Sequence, residues 1–201
     1  MGRYVVDIDK YATLVRQTAA EGCVLVKNEN QTLPLRKGDK VAVFGRMAFH
    51  YYKSGLGSGG LVNTKYVVGI LDALRKEKDI SLDENLLQVY EDWIKDHPYD
   101  AGVGWGLVPW CQVEMELPEE LVSEAAARND AALVIIGRTA GEDQDNVNEA
   151  GSYLLTAAER DMIAKVSRKF KRTAVILNVG NIIDMKWVEE LQPSAVLYAW
   201  Q

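Results

Sequence analysis

Cysteine and histidine are scarce in this chain, two of each among 201 residues. Cys23 and Cys111 are too few for a disulfide framework and lack the spacing of metal ligands. Cys23 stands in an apolar run and is expected to be a buried small hydrophobe. Two isolated histidines, His50 and His97, support no Ser-His-Asp or Cys-His arrangement and read as structural or solvent-exposed. No stretch approaches the ~18 apolar residues of a membrane span. The N-terminus lacks the basic and apolar regions of a signal peptide. Met1-Gly2 opens a myristoylation pattern, but Val6 stands where that signal needs Ser or Thr. Positive charge is short as well. A formal net charge of −6 and a pI near 5.1 argue against a nucleic-acid partner. The basic run Lys169, Lys171 and Arg172 fits a solvated helix end. A soluble cytoplasmic protein without cofactor or metal is the expectation.

What is present is enough to build a core. A chain of 201 residues can bury roughly 70% of its unfolded surface without a staple. Four apolar runs, Val41 to Phe44, Leu133 to Ile136, Ala174 to Val179 and Ala195 to Trp200, are nearly continuous, as strands buried on both faces of a parallel sheet are. Three end at Gly45, Gly137 and Gly180, which suits a tight exit turn. Val24 to Val26 is a candidate extra strand. Tyr11, Leu14, Val15, Thr18 and Ala19 recur at helical spacing. Ser81-x-x-Glu84 and Thr156-x-x-Glu159 are capping-box patterns. They precede the apolar stripes Leu86, Leu87, Tyr90, Ile94 and Met162, Ile163, Val166, Phe170. Pro118 with Glu119 and Glu120 predicts the first turn of a helix through Arg128. Strand and helix alternate, so the fold class is α/β. The expected architecture is a doubly wound, mostly parallel sheet in a three-layer α/β/α sandwich. Residues 1–20 form an N-terminal segment and helix, and 21–201 the sandwich. Residues 96–112, with three glycines, Trp105, Pro109 and Trp110, read as a wrapping segment anchored by its aromatics, with a lid as the other reading. Ala195 to Trp200 looks like a central strand with no covering helix after it, so the sandwich is expected to be cut after its last strand.

Two loops should leave strand ends on one edge of the sheet, where open α/β folds place ligand chemistry. One is Arg138-Thr-Ala-Gly-Glu-Asp-Gln-Asp-Asn146, a long connection without periodicity, of a kind more often functional than idle. Glu142 is its candidate acid. A calcium site is excluded because Asp143-x-Asp145-x-Val147 breaks the alternation of oxygen ligands. The other is Lys53-Ser-Gly-Leu-Gly-Ser-Gly-Gly60, whose glycines let backbone amides approach a ligand. It lacks the Lys-Ser/Thr ending of a P-loop and the dinucleotide spacing. A solvated charge cluster and a plain flexible turn remain the bland readings of these two loops.

Four stretches together resemble the α/β sandwich domain of glycoside hydrolase family 3, the β-glucosidase-like enzymes. They are Ala20-Glu-Gly-Cys-Val-Leu-Val-Lys-Asn28 with Leu33-Pro-Leu35; Val41-Ala-Val-Phe-Gly45 with Gly57-Ser-Gly59; Arg138-x-x-Gly-Glu-x-x-Asp145; and Asn178-x-Gly180 with Ala199-Trp200-Gln201. The resemblance implies a retaining β-glycosidase in which this domain supplies the general acid/base, a role that falls on Glu142. A (β/α)₈ barrel outside this chain would supply an Asp nucleophile and most sugar-binding groups. Ser58 and Gly59 would border the sugar or leaving-group site, with Arg138 and Asp145 beside the substrate or tethering the loop. Asp143 and Asp145 add negative charge next to the acid. The family's usual Gly-x-Asp-Arg after this Glu is replaced here by Asp143-Gln144-Asp145-Asn146. No Ser-Asp-Trp nucleophile motif occurs, and Asp92-Trp93 lies in an amphipathic helix pattern. The expected partners are a β-glucoside or related oligosaccharide and the barrel of the same parent, with a dimer left open. The chain alone is expected to be inactive. Its barrel is expected downstream, in a reversed order, with an introduced start at Met1 as the other reading. Rival readings are a non-catalytic carbohydrate-binding or scaffolding domain and a flavodoxin-like small-ligand domain.

Overall fold

The apolar runs become strands whose alternate residues feed two separate cores. A computed structural model describes residues 5, 7–60, 62–142 and 144–201. Its six-stranded sheet is built from β1 (Val24–Asn28), β2 (Lys40–Phe44), β3 (Ser81–Leu82), β4 (Ala131–Arg138), β5 (Thr173–Val179) and β6 (Ala195–Tyr198). The strand order is β1-β6-β5-β4-β2-β3, parallel throughout except that β1 runs antiparallel to β6 at one edge. Successive side chains on a strand point to opposite faces. Ala42, Phe44, Val134, Ile136, Val175 and Leu177 therefore pack on one side. Val41, Val43, Leu133, Ile135 and Ile176 pack on the other. Both faces are covered, which is why no polar alternation marks these strands.

The first face is covered by α3 (Glu84–Asp96), α4 (Glu119–Arg128), α5 (Ala157–Lys169) and α6 (Lys186–Leu191), which contribute Leu86 and Tyr90, Val122 and Ala125, Met162 and Ile163, and Trp187. The second is covered by α2 (Ile70–Lys76), through Leu71, and by Met47, Ala48 and Tyr52 of the segment after β2. The result is the doubly wound α/β sandwich. Thr156 and Glu159 form the capping box of α5 as their spacing predicts. Pro118 stands at the N-cap of α4.

Two local expectations are corrected. Ser81 does not cap α3. It pairs with Lys40 in the two-residue β3, and Asp83 accepts from the Leu86 amide as the N-cap. The helical spacing of Tyr11, Leu14 and Val15 forms α1 (Ile8–Gly22), whose stripe stays 59%, 58% and 48% exposed at these residues. Cys23 is only half-buried at the end of that helix. Asp143, expected to add charge beside Glu142, lies outside the described residues.

Candidate active site

β2 and β4 are parallel neighbours, with Phe44 opposite Val134, so the loops that follow them emerge on the same edge of the sheet. The loops are then zipped together. The Leu56 amide donates to the Ala140 carbonyl at 2.6 Å, and Leu56 pairs with Gly141 in an isolated parallel bridge. A side chain at Gly141 would stand 2.5 Å from Leu56 Cβ, so the two backbones meet only because one is bare. One residue further along, the Ser58 amide donates to Oε2 of Glu142 at 3.1 Å. Gly57 makes that approach possible. Its φ is +89°, and a Cβ there would lie 2.5 Å from the Cβ and 2.8 Å from Oε2 of Glu142. An amide aimed at a carboxylate is a charge-assisted contact, stronger than a neutral one. The Glu142 side chain is nevertheless exposed, as are Ser58, Gly59 and Asp145.

The acidic loop is tied down from its other side as well. Gln144 Nε2 donates to the Val108 carbonyl at 2.9 Å, and the Thr139 amide donates to the Trp110 carbonyl at 2.9 Å. Asn146 Nδ2 reaches the Ile182 carbonyl at 3.1 Å. The 96–112 segment thus runs alongside the Glu142 loop. Its own base is held by Gln112, which accepts from the Asp100 amide at 2.7 Å and donates to the Asp100 carbonyl at 3.0 Å. Asn178, at the end of β5, accepts from the Tyr52 amide at 2.7 Å and donates to the carbonyls of Tyr52 and Trp200 at 3.0 and 2.6 Å. It therefore joins the segment after β2 to the residues after β6.

Arg138, expected at the substrate or as a tether of the acidic loop, is turned into the protein, where it holds the far part of that loop. Its side chain is 1% exposed. Two of its N–H groups meet the two carboxylate oxygens of Glu159, each at 2.6 Å. The others reach the carbonyls of Gly137, Ser152 and Leu154 at 2.7, 3.0 and 3.2 Å. A guanidinium has five N–H donors, and all five are spent inside the protein. None is left for a sugar. Its function is to pin the 139–155 loop to α5 through Glu159.

Beneath the loops lies a second acid that sequence reasoning missed. Glu114 is buried, accepting from the Met115 amide at 2.8 Å and the Arg46 amide at 3.0 Å. Burial pushes its carboxyl up to about 8, against the pull of those two amides. Arg46 itself is 1% exposed, donating to the carbonyls of Val113 and His97 at 2.8 and 2.9 Å, with its guanidinium 5.3 Å from the Trp93 ring centre. The run Val113-Glu-Met-Glu-Leu117 gives no hint that one glutamate points in and the next does not.

A cavity of about 500 Å³ opens between the glycine-rich segment and residues 104–108. Tyr51, Tyr99 and Trp105 line it, with His50 and Thr139 in its wall. Burial, and then the nearby Arg46 charge, lower the pKa of His50. Among the described residues no three His, Cys, Asp or Glu side chains cluster as a metal site requires, and no helix is long and apolar enough to cross a membrane.

Comparison with known proteins bears on this arrangement. The family model described as the glycosyl hydrolase family 3 C-terminal domain matches residues 23–201. A β-glucosidase of Ruminococcus albus is 50% identical over 195 residues, covering 97% of this chain but 20% of that protein. β-Glucosidase A of Butyrivibrio fibrisolvens is 33% identical over 224 residues, covering 26% of its length. Among solved structures, a β-glucosidase from Paenibacillus barengoltzii superposes with a TM-score of 0.91 at 49% identity, over 95% of this chain and 21% of that one. β-Glucosidase 3B of Thermotoga neapolitana, solved with α-D-glucose, superposes with a TM-score of 0.85 at 32% identity, over 97% of this chain and 27% of that one. This chain therefore spans between a fifth and little more than a quarter of these relatives, 20% to 27%.

Proposed function

Because the chain belongs to glycosyl hydrolase family 3, as its C-terminal domain, we propose that it furnishes the general acid/base of a retaining β-glucosidase through Glu142. The remainder of the enzyme, a (β/α)₈ barrel, furnishes the nucleophilic carboxylate and the main sugar-binding groups. The observation that carries this reading is the exposed Glu142 carboxyl, fixed by the Ser58 amide at the loop-bearing edge of the sheet. A proton donor needs a set direction as well as an acidic group, and the amide contact supplies it. With Oε2 engaged, Oε1 carries the transferable proton.

In the first step the barrel carboxylate attacks the anomeric carbon and the glycosidic C–O bond breaks. The departing oxygen takes the proton of Glu142, leaving a glycosyl-enzyme and a free alcohol. In the second, Glu142 takes a proton from water as that water attacks the anomeric carbon, releasing the sugar and the nucleophile. The two carboxyl groups then lie about 5–5.5 Å apart, as retention requires. Ser58 and Gly59, exposed beside the acid, border the substrate, and Asp145 is placed on the same loop. The substrate class is terminal β-glucosides or the related β-xylosides.

The test is Glu142→Gln in the complete enzyme. Hydrolysis of unactivated β-glucosides should fall by about 10²–10⁴. A dinitrophenyl glucoside, whose leaving group needs little protonation, should keep most of its first-step rate. If both substrates are hydrolysed as fast as by the parent, Glu142 is not the acid.

A further inference from the structure

We propose that Gln144 is a positioning residue for the acid, tying the Glu142 stretch to the 96–112 segment so that the carboxyl keeps its aim. This rests on Glu142 being the proton donor. The Glu142 side chain has one hydrogen-bond partner among the described residues, the Ser58 amide, and is exposed. Its aim therefore depends on how the backbone to either side is fixed. A misplacement of about 1 Å can slow a reaction by ~10²-fold. On one side the glycine-rich segment does the fixing, through the Leu56 amide on the Ala140 carbonyl and the Leu56–Gly141 bridge. On the other side it is Gln144. Its amide donates to the Gly141 carbonyl at 3.3 Å, and the two residues pair in an antiparallel bridge that brackets Glu142. That closure alone leaves the bracketed unit attached only to the glycine-rich segment. The Gln144 side chain supplies a second attachment, since Nε2 donates to the Val108 carbonyl at 2.9 Å. Among the described residues the next side-chain tether is Asn146, two residues on, whose Nδ2 reaches the Ile182 carbonyl at 3.1 Å.

The anchor is itself fixed. Val108 lies in a loop whose two ends are held by one buried guanidinium. Arg46 donates to the His97 carbonyl at 2.9 Å and to the Val113 carbonyl at 2.8 Å. Two residues beyond Val108, the Trp110 carbonyl accepts from the Thr139 amide at 2.9 Å, which ties the same loop to the end of β4. A carbonyl accepts and cannot donate, so whatever reaches Val108 has to bring an N–H or O–H. An ionised glutamate has neither. Lysine or arginine would bring a positive charge near the acid and favour its deprotonated form. A side-chain amide donates without charge. Only one half of that amide is used here. Oε1 of Gln144 is buried with no partner among the described residues, so the side-chain link consists of the Nε2 hydrogen bond alone.

The experiment uses the complete enzyme with cellobiose and dinitrophenyl β-glucoside as substrates. Gln144→Met keeps the length of the side chain and removes the donor. Its kcat/KM for cellobiose should fall about tenfold, the effect of an acid set slightly out of place. For dinitrophenyl glucoside kcat/KM should stay close to the parent's, because that leaving group needs little protonation, and this also shows that the variant is folded. With this substrate the first step is fast, so kcat reports the second. There kcat should fall, and KM with it, because Glu142 acts as the base when water releases the sugar. A residue that merely supports the fold would not divide the two constants in this way. Gln144→Glu, equal in size but ionised at pH 7, should fare no better on cellobiose than Gln144→Met. An equal loss of kcat/KM on both substrates, no loss on cellobiose, an unchanged kcat on dinitrophenyl glucoside, or parent-like cellobiose hydrolysis by Gln144→Glu overturns the proposal. Glu142→Gln is assayed alongside. If it loses cellobiose hydrolysis while Gln144→Met does not, the acid assignment stands and Gln144 does not position it. If Glu142→Gln keeps cellobiose hydrolysis, both readings fall.

Discussion

The amide of Ser58 and the carboxylate of Glu142 meet at 3.1 Å although 84 residues separate them in the chain. Their meeting follows from topology. β2 and β4 are adjacent and parallel, so their exits share an edge, and the Leu56–Gly141 bridge extends that adjacency beyond the strands. The glycine-rich segment therefore acts on the glutamate through a backbone N–H, a group no side-chain motif encodes.

Gly57→Ala tests that relationship. The new methyl would sit 2.5 Å from Glu142 Cβ at a φ of +89°, so the contact and the backbone conformation are both strained. The glutamate should be pushed off the Ser58 amide. In the complete enzyme, unactivated glucosides should be cleaved at least about tenfold more slowly, the cost of a misplaced acid. Dinitrophenyl glucoside should suffer less, giving a steeper dependence of rate on leaving-group pKa. An unchanged slope would mean that Gly57 merely stiffens the turn.

The buried pair of Arg138 and Glu159 should be expensive to break. Removing one partner of such a pair leaves an uncompensated charge and typically costs about 3–5 kcal/mol. Glu159→Ala should show that loss in urea denaturation, increased by the loss of the α5 capping box that the same carboxylate completes. Arg138→Met combined with Glu159→Leu should recover part of the difference, because no lone charge remains. A double variant weaker than both singles would contradict this account.

How far these features could be read in advance depends on which forces leave a trace in composition. Strands β2, β4, β5 and β6 were legible because burial on two faces forces a continuous apolar run, and the shared edge of the two loops follows from parallel pairing. The antiparallel placement of β1 was not, since Val24 to Val26 is equally apolar in either direction. Ser81 misled because Ser81-Leu-Asp-Glu84 contains two capping residues, and pairing with Lys40 claimed the first. Arg138 looked like a loop residue because β4 continues two residues past Ile136, turning the guanidinium into the core. Its partner was visible in Thr156-x-x-Glu159, but nothing local says that one carboxylate serves both cap and ion pair. Trp105 and Glu114 were unreadable for the same reason. Their surroundings come from distant segments.

Tyr90→Phe probes the exit of β2. The buried Tyr90 hydroxyl accepts from the Gly45 amide at 2.8 Å and faces the Met162 sulfur at 3.7 Å. Removing it leaves a buried N–H without a partner, at a cost of about 1–3 kcal/mol. Thermal or chemical denaturation should show that loss with little change in m-value, since the surface buried is nearly the same. A neutral effect would mean that water replaces the hydroxyl.

Glu114 should make the stability of this chain fall as pH rises. Its folded carboxyl is pushed up to about 8 by burial, from an ordinary 4.5. Below pH 4.5 both folded and unfolded chains hold the proton, so the group contributes no pH dependence. Between 4.5 and 8 the unfolded chain releases the proton while the folded one keeps it. The folded state then binds more protons, and stability declines with rising pH. Above 8 both are ionised and the loss is complete. At about 1.4 kcal/mol for each pH unit of difference, the decline is on the order of a few kcal/mol. Glu114→Gln should flatten the pH 5 to 8 portion of a thermal-stability curve. It should also lower stability at pH 5, because one of the two oxygens that accept from the Met115 and Arg46 N–H groups becomes an NH2, which sets a donor against a donor. If the slope survives the substitution, other groups carry it and Glu114 is ionised in the fold.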